Sequence, residues 1–110
     1  MSDTNYIGSI VKVLENPTEI FLSDNISFTQ FRVQVPQIRN TRIINLVFWG
    51  NLARDVANYY QVNDYIIIEG YISLRNNNNS DLIAKNLKRI QITVLKVYPF
   101  LLSYDRHIKN

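Results

Sequence analysis

The chain has 110 residues, 46% hydrophobic and 12% aromatic. That fits one domain with a core and excludes a second core or a disordered linker. The net charge is +3, with no Cys and one His, His107, so disulfides, thiol nucleophiles, His-based triads and multi-His metal sites are excluded.

Period-two alternation of apolar and polar residues dominates the chain. Tyr6 to Leu14 reads as a first strand, broken at Asn16-Pro17-Thr18-Glu19. Ile20-Phe21-Leu22 reads as a short continuation and Ser23-Asp24-Asn25 as a turn. Phe31, Val33 and Val35 alternate with Arg32 and Gln34, which predicts a second strand. Pro36 to Thr41 is then a loop holding Arg39.

Arg42 to Trp49 is the third predicted strand. Ile44, Leu46 and Phe48 take one face; Ile43, Asn45, Val47 and Trp49 take the other. Gly50 ends it as a tight exit. Asn51 is the expected helix N-cap, and Leu52 to Tyr60 the one expected helix. Leu52, Val56 and Tyr59 are expected to face the core. Asn63-Asp64 is a turn, and Tyr65 to Arg75 a long strand with Ile66, Ile68, Gly70, Ile72 and Leu74 on one side. Gly70 is expected where two strands approach closely. Asn76 to Ser80 is a polar hairpin tip. Leu82 to Val97 is strand-like, and Pro99 is expected to end it.

One short helix before the last two of about five strands is the order of an all-β OB-fold, a Greek-key barrel. The placed helix disfavours an SH3-like barrel or a β-sandwich. The expected domain runs over residues 1–100, followed by a short basic tail over 101–110.

The function classes narrow by elimination. Gly is scarce (Gly8, Gly50 and Gly70), so no Gly-rich loop can cradle phosphate, and there is no Asp-x-Asp or Glu-x-x-His. An enzyme is not expected, nor any cofactor or metal. The longest apolar runs, such as Ile66-Ile67-Ile68, are too short to cross a membrane as a helix.

Charge is unevenly distributed. Residues 32–54 carry Arg32, Arg39, Arg42 and Arg54 with no acid. Residues 85–110 carry Lys85, Lys88, Arg89, Lys96, Arg106 and Lys109 against Asp105. The two segments between and before them are net acidic. Basic segments that share a surface attract phosphates by counterion release.

From Trp49 onward the sequence stops being generic. Trp49-Gly50-Asn51-Leu52-Ala53, then Val56-Ala57-Asn58-Tyr59, then Ile66-Ile67-Ile68-Glu69-Gly70-Tyr71-Ile72 resemble the bacterial-type single-stranded DNA-binding proteins. Ile7-Gly8-Ser9-Ile10, Asn16-Pro17 and Phe31 to Val35 resemble the same family more loosely, and the resemblance covers roughly residues 6–98. It implies an OB-fold that binds single strands without sequence preference, stacking bases on aromatics while cations track the backbone. On that basis the nucleic-acid-binding residues are expected to be Trp49, Arg32, Arg39, Arg42, Tyr71, Arg75, Lys85 and Lys88.

Departures from the family are equally specific. Further family aromatics match Ile43, Arg39 and Asn77, and none is retained. The family's acidic C-terminal tail, which recruits partners, has no counterpart in Asp105-Arg106-His107-Ile108-Lys109-Asn110. The resemblance thus implies a reduced binder of single-stranded DNA, with RNA left open. A primosomal-type accessory gripping replication proteins, or an interaction module with a decayed nucleic-acid face, are the alternatives.

Family members assemble as homodimers or homotetramers. Ile7, Ile67 and Tyr71 are apolar residues on faces that a monomer would leave wet. Asn is 14 and Ile 15 against three Ala, a skew expected of an AT-rich gene. That fits the small family members encoded in algal plastid genomes. With no secretory or transit signal visible at Met1-Ser2-Asp3-Thr4, the plastid is the expected location. The cytoplasm of an AT-rich bacterium or endosymbiont is the alternative.

Overall fold

A strand that alternates apolar and polar residues must bury one face. In the computed structural model, residues 5–36, 41–76 and 88–103 are described, with 74–76 and 88–89 by their backbone alone. The strands are β1 (Tyr6–Val13), β2 (Glu19–Phe21), β3 (Ser27–Val35), β4 (Arg42–Trp49), β5 (Tyr65–Asn76) and β6 (Lys88–Leu101), with helix α1 (Gly50–Tyr59) between β4 and β5. Hydrogen-bonded neighbours run β1-β5-β6-β4-β3-β2, and an added β1–β3 pairing closes five strands into a barrel. β1 bends from β5 to β3 near its end, where Lys12 faces Gln34 and Val13 faces Val33. β4 and β6 pair in parallel through Asn45–Gln91, Leu46–Ile92 and Val47–Thr93. This is the expected OB-fold.

Inward positions of all five strands form one core. Val11, Val13, Phe31, Val33, Leu46, Phe48, Ile66, Ile68 and Ile92 are buried, each full burial contributing roughly 1.5–3 kcal/mol. Phe31 and Phe48 stack with ring centroids 5.4 Å apart. Helix α1 closes one end of the barrel with Ala53 and Val56, and the Thr29 hydroxyl donates to the Ala53 carbonyl at 2.9 Å.

Gly70 is where the barrel turns. A Cβ there would lie 2.1 Å from the Thr93 carbonyl oxygen, so the close approach expected of this glycine is present. Beside it β6 carries a bulge, because Glu69 faces Lys96 while Gly70 faces Val94, leaving Leu95 unpaired. Gly50, at φ +65°, makes the tight exit from β4. Asn16, at the break after β1, accepts from the Val62 N–H at 2.9 Å and ties that loop to the turn before β5.

Four local expectations are corrected. Asn51 does not cap the helix: α1 begins two residues earlier than expected, at Gly50, with Trp49 at the N-cap position, because the Gly50 conformation turns the strand directly into the helix. The Asn51 side chain instead accepts from Arg54 at 3.2 Å. Tyr59 is 49% exposed and Tyr60 takes the core position, because the chain leaves the helix at Tyr60 in an extended conformation. Pro99 does not end β6, which runs on to Leu101. Pro99 lies beside a register shift, beyond the stretch paired with β4, so its missing N–H breaks no ladder. Ile7 packs inward against the core, and the outward positions of β1 are Tyr6, Gly8, Ile10 and Lys12. The expected hairpin tip at 77–80, the loop residue Arg39 and the segment 82–87 lie outside the described residues.

Candidate nucleic-acid interface

Register decides which outward side chains share a surface. Antiparallel pairing sets Phe28 opposite Trp49, Gln30 opposite Val47, Arg32 opposite Asn45 and Gln34 opposite Ile43. Parallel pairing extends two of these rows, from Asn45 to Gln91 and from Val47 to Thr93. Then β5 adds Ser73 opposite Gln91 and Tyr71 opposite Thr93, and β1 adds Tyr6 opposite Tyr71. The result is a continuous outer surface across β3, β4, β6 and β5.

Outward positions of β3 and β4, with Gln91 and Thr93 of β6, carry amides, a hydroxyl, Arg32, aromatics and aliphatics, and no carboxylate. Hydrogen-bond donors and a cation suit phosphate, and an outward aromatic suits a base.

Trp49 stands on this surface at 48% exposure. Alternation places it away from Leu46 and Phe48, as expected. Its ring neighbour is Phe28, at a centroid distance of 5.4 Å and an interplanar angle of 41°. Phe28 was legible as a sequence position only by extending the second strand three residues upstream of Phe31.

Arg32 is also on this surface, but partly engaged. Its Nε donates to Glu15 Oε2 at 2.8 Å and its backbone N–H to Glu15 Oε1 at 2.9 Å. The two side chains are 58% and 40% exposed. The Arg32 N–H and guanidinium hold the Glu15 carboxyl below the usual carboxylate range. Sequence reasoning missed Glu15 because it lies 17 residues from Arg32 and only the β1–β3 closure brings them together.

Arg42 has the opposite parity from Trp49. It sits at the far end of β4, seven residues or about 23 Å away along the strand. There it lines an apolar hollow of about 200 Å³ with Ile7, Val35, Ile44, Ile72, Ile90 and Ile92, at the end of the barrel opposite Trp49. The register sets Arg75 opposite Arg89 and Asn76 opposite Lys88. Arg89, in the basic block but not among the expected contacts, therefore belongs beside Arg75 on the backbone map. Arg39 and Lys85 lie outside the described residues.

Tyr71 stands between two surfaces. Its ring meets Tyr6 edge-on at 5.1 Å. The Tyr6 hydroxyl donates to Glu69 at 2.9 Å, and this bond raises the phenol above its ordinary pKa. Beyond them, Ile10 faces Ile67 and Ile67 faces Tyr98, forming an outward apolar row with Ile10 at 40% and Tyr98 at 45% exposure.

A protein of Trieres chinensis named "Putative single-stranded DNA-binding protein ycf41" is 41% identical to this chain over 103 residues, covering 90% of this chain and 91% of its own length. A small single-stranded DNA-binding protein from Streptomyces coelicolor has the same fold, with a TM-score of 0.71 at 16% identity over 92% of this chain and 96% of its own. The SSB domain of a Synechococcus protein matches with a TM-score of 0.69 at 22% identity over 89% of this chain and 98% of its own. No family model matches. The barrel topology agrees with these relatives. The chain belongs to the family of single-stranded DNA-binding proteins.

Proposed function

We propose that this protein binds single-stranded DNA without sequence preference in DNA replication, repair or recombination. The strand lies on the outer surface of β3, β4 and β6. The observation that carries this reading is Trp49, an outward, half-exposed indole on the face that also carries Arg32. A base stacks on Trp49, while Arg32 and Arg75 meet phosphates, with Arg39, Lys85 and Lys88 as further contacts; Arg42, of opposite parity, meets a phosphate only where the strand continues past the far end of β4. Ile43 and Asn77 cannot replace aromatics, and each missing stack costs on the order of 1–3 kcal/mol. Affinity per protomer is therefore modest.

The protein works as a homodimer or homotetramer. The support is the outward row Ile10, Ile67 and Tyr98 on β1, β5 and β6, which a monomer would leave in water. Tyr71, packed edge-on against Tyr6, joins this row more readily than it joins Trp49. The algal relative and the AT-rich composition support a plastid location.

The test is a fluorescence titration with oligo(dT), following the single Trp. DNA should quench Trp49, and Trp49→Ala should weaken binding by about 1–3 kcal/mol while the protein stays folded. A buried Trp would instead cost the fold roughly 3–5 kcal/mol on truncation. Unquenched wild-type fluorescence at saturating DNA would reject the stacking role.

A further inference from the structure

We propose that Phe28 is a positioning residue for the nucleobase, holding the Trp49 indole in the orientation that receives it. The inference rests on the stacking role of Trp49 given above and adds a residue that the family resemblance does not supply.

Three observations carry it. Phe28 and Trp49 are directly opposed across the β3–β4 ladder, and their rings are in contact at 5.4 Å with planes tilted by 41°. Phe28 points outward and is not part of the buried core cluster, so core packing does not account for it. Ile20 of β2 lies opposite Phe28 on its other side, continuing the row. The sequence Ile20, Phe28, Trp49 therefore runs across three strands, with the indole last.

The physical consequence concerns rotamers. A half-exposed Trp on a sheet surface samples several side-chain orientations. A ring pair of this kind favours one of them by about threefold to tenfold. An indole already held in place loses less freedom when a base stacks on it. Phe28 also occupies one side of the indole, so the base takes the open side.

The experiment compares Phe28→Ala, Phe28→Tyr and Trp49→Ala in the full chain. Each is titrated with oligo(dT), and the fluorescence anisotropy of Trp49 is recorded without DNA. Phe28→Ala should lower the anisotropy and weaken binding about threefold to tenfold. Phe28→Tyr should restore both. A folded Phe28→Ala protein with wild-type affinity, alongside a Trp49→Ala protein that has lost binding, overturns the inference and leaves the stacking role intact. Weakened binding with unchanged anisotropy also overturns it, because Phe28 would then act otherwise than through Trp49. Wild-type affinity in Trp49→Ala overturns the stacking role and this inference with it. If circular dichroism shows Phe28→Ala unfolded, Phe28→Leu is read by the same criteria, since it keeps the volume and removes the ring.

Discussion

The outer surface of β3 and β4 and the outer surface of β1 and β5 are built by the same rule and turn out differently. Both belong to strands whose inward residues fill one core: Phe31, Val33, Leu46 and Phe48 on one side, Val11, Val13, Ile66 and Ile68 on the other. Outward, the first pair presents Gln30, Arg32, Gln34, Asn45 and Trp49. The second presents Tyr6, Ile10, Ile67 and Tyr71. Folding constrains the inward sets alike and says little about the outward ones. The outward sets differ in chemistry: one carries Arg32, amides and the Trp49 indole along with Ile43, the other Tyr6, Ile10, Ile67 and Tyr71 along with Lys12 and Glu69.

The largest expected effect removes the comparison altogether. Gly70 sits where β5 crosses β6 between the two surfaces, and a methyl group there collides with Thr93 backbone. Gly70→Ala should destabilise the fold by about 3 kcal/mol or more, measured by urea denaturation. A loss under about 1 kcal/mol would mean the strands can part locally.

Next comes a change meant to break one surface only. Ile10→Asp places a charge in the apolar row, opposite Ile67. Self-association should weaken by about 2 kcal/mol or more, as for a central interface residue, measured by analytical ultracentrifugation. Oligo(dT) binding per protomer should survive. If DNA affinity falls in step with Trp49 quenching, the two surfaces are not independent.

Smaller effects concern the cations, on the β3–β4 surface and at the far end of β4. If Arg42 meets a phosphate, Arg42→Ala should reduce the log–log salt slope by roughly 0.7, read from titrations at several salt concentrations. Arg32→Ala should reduce it by less, because Glu15 already holds part of that guanidinium.

The smallest prediction concerns Glu15 itself. Its carboxyl is held below the ordinary range by the Arg32 N–H and guanidinium. The pair's stabilisation is therefore full above the usual carboxylate pKa and is lost as pH falls through the depressed value. Glu15→Gln should abolish that acid-side dependence and cost the fold only about 0.2–1 kcal/mol, as for an exposed pair. It should also strengthen oligo(dT) binding slightly at low salt. A weaker complex would mean that Glu15 orients Arg32 productively rather than competing for it.

Much of the barrel was legible from alternation. β4 has the predicted bounds, Arg42 to Trp49, and β5 extends the prediction by one residue. The misses share one cause, which is that each depends on something beyond the local pattern. Asn51 has the residue type of a cap, but the Gly50 turn starts the helix before it. Pro99 has the residue type of a strand breaker, but it lies on a stretch of β6 with one free edge. Tyr59 has helical spacing for the core, but the chain leaves the helix at Tyr60.

By itself, the sequence determined the strand faces, the exit at Trp49-Gly50 and the acid-free arginine block over residues 32–54. These follow from residue type and from a side-chain period fixed by the backbone. Only the tertiary structure decided that Phe28 meets Trp49, that Glu15 holds Arg32, that Asn45 lies beside Gln91, and that Tyr71 turns to Tyr6. Each of those pairings needs a register and a closed barrel, and register is set by how distant strands share one core, a property that no local stretch of sequence carries.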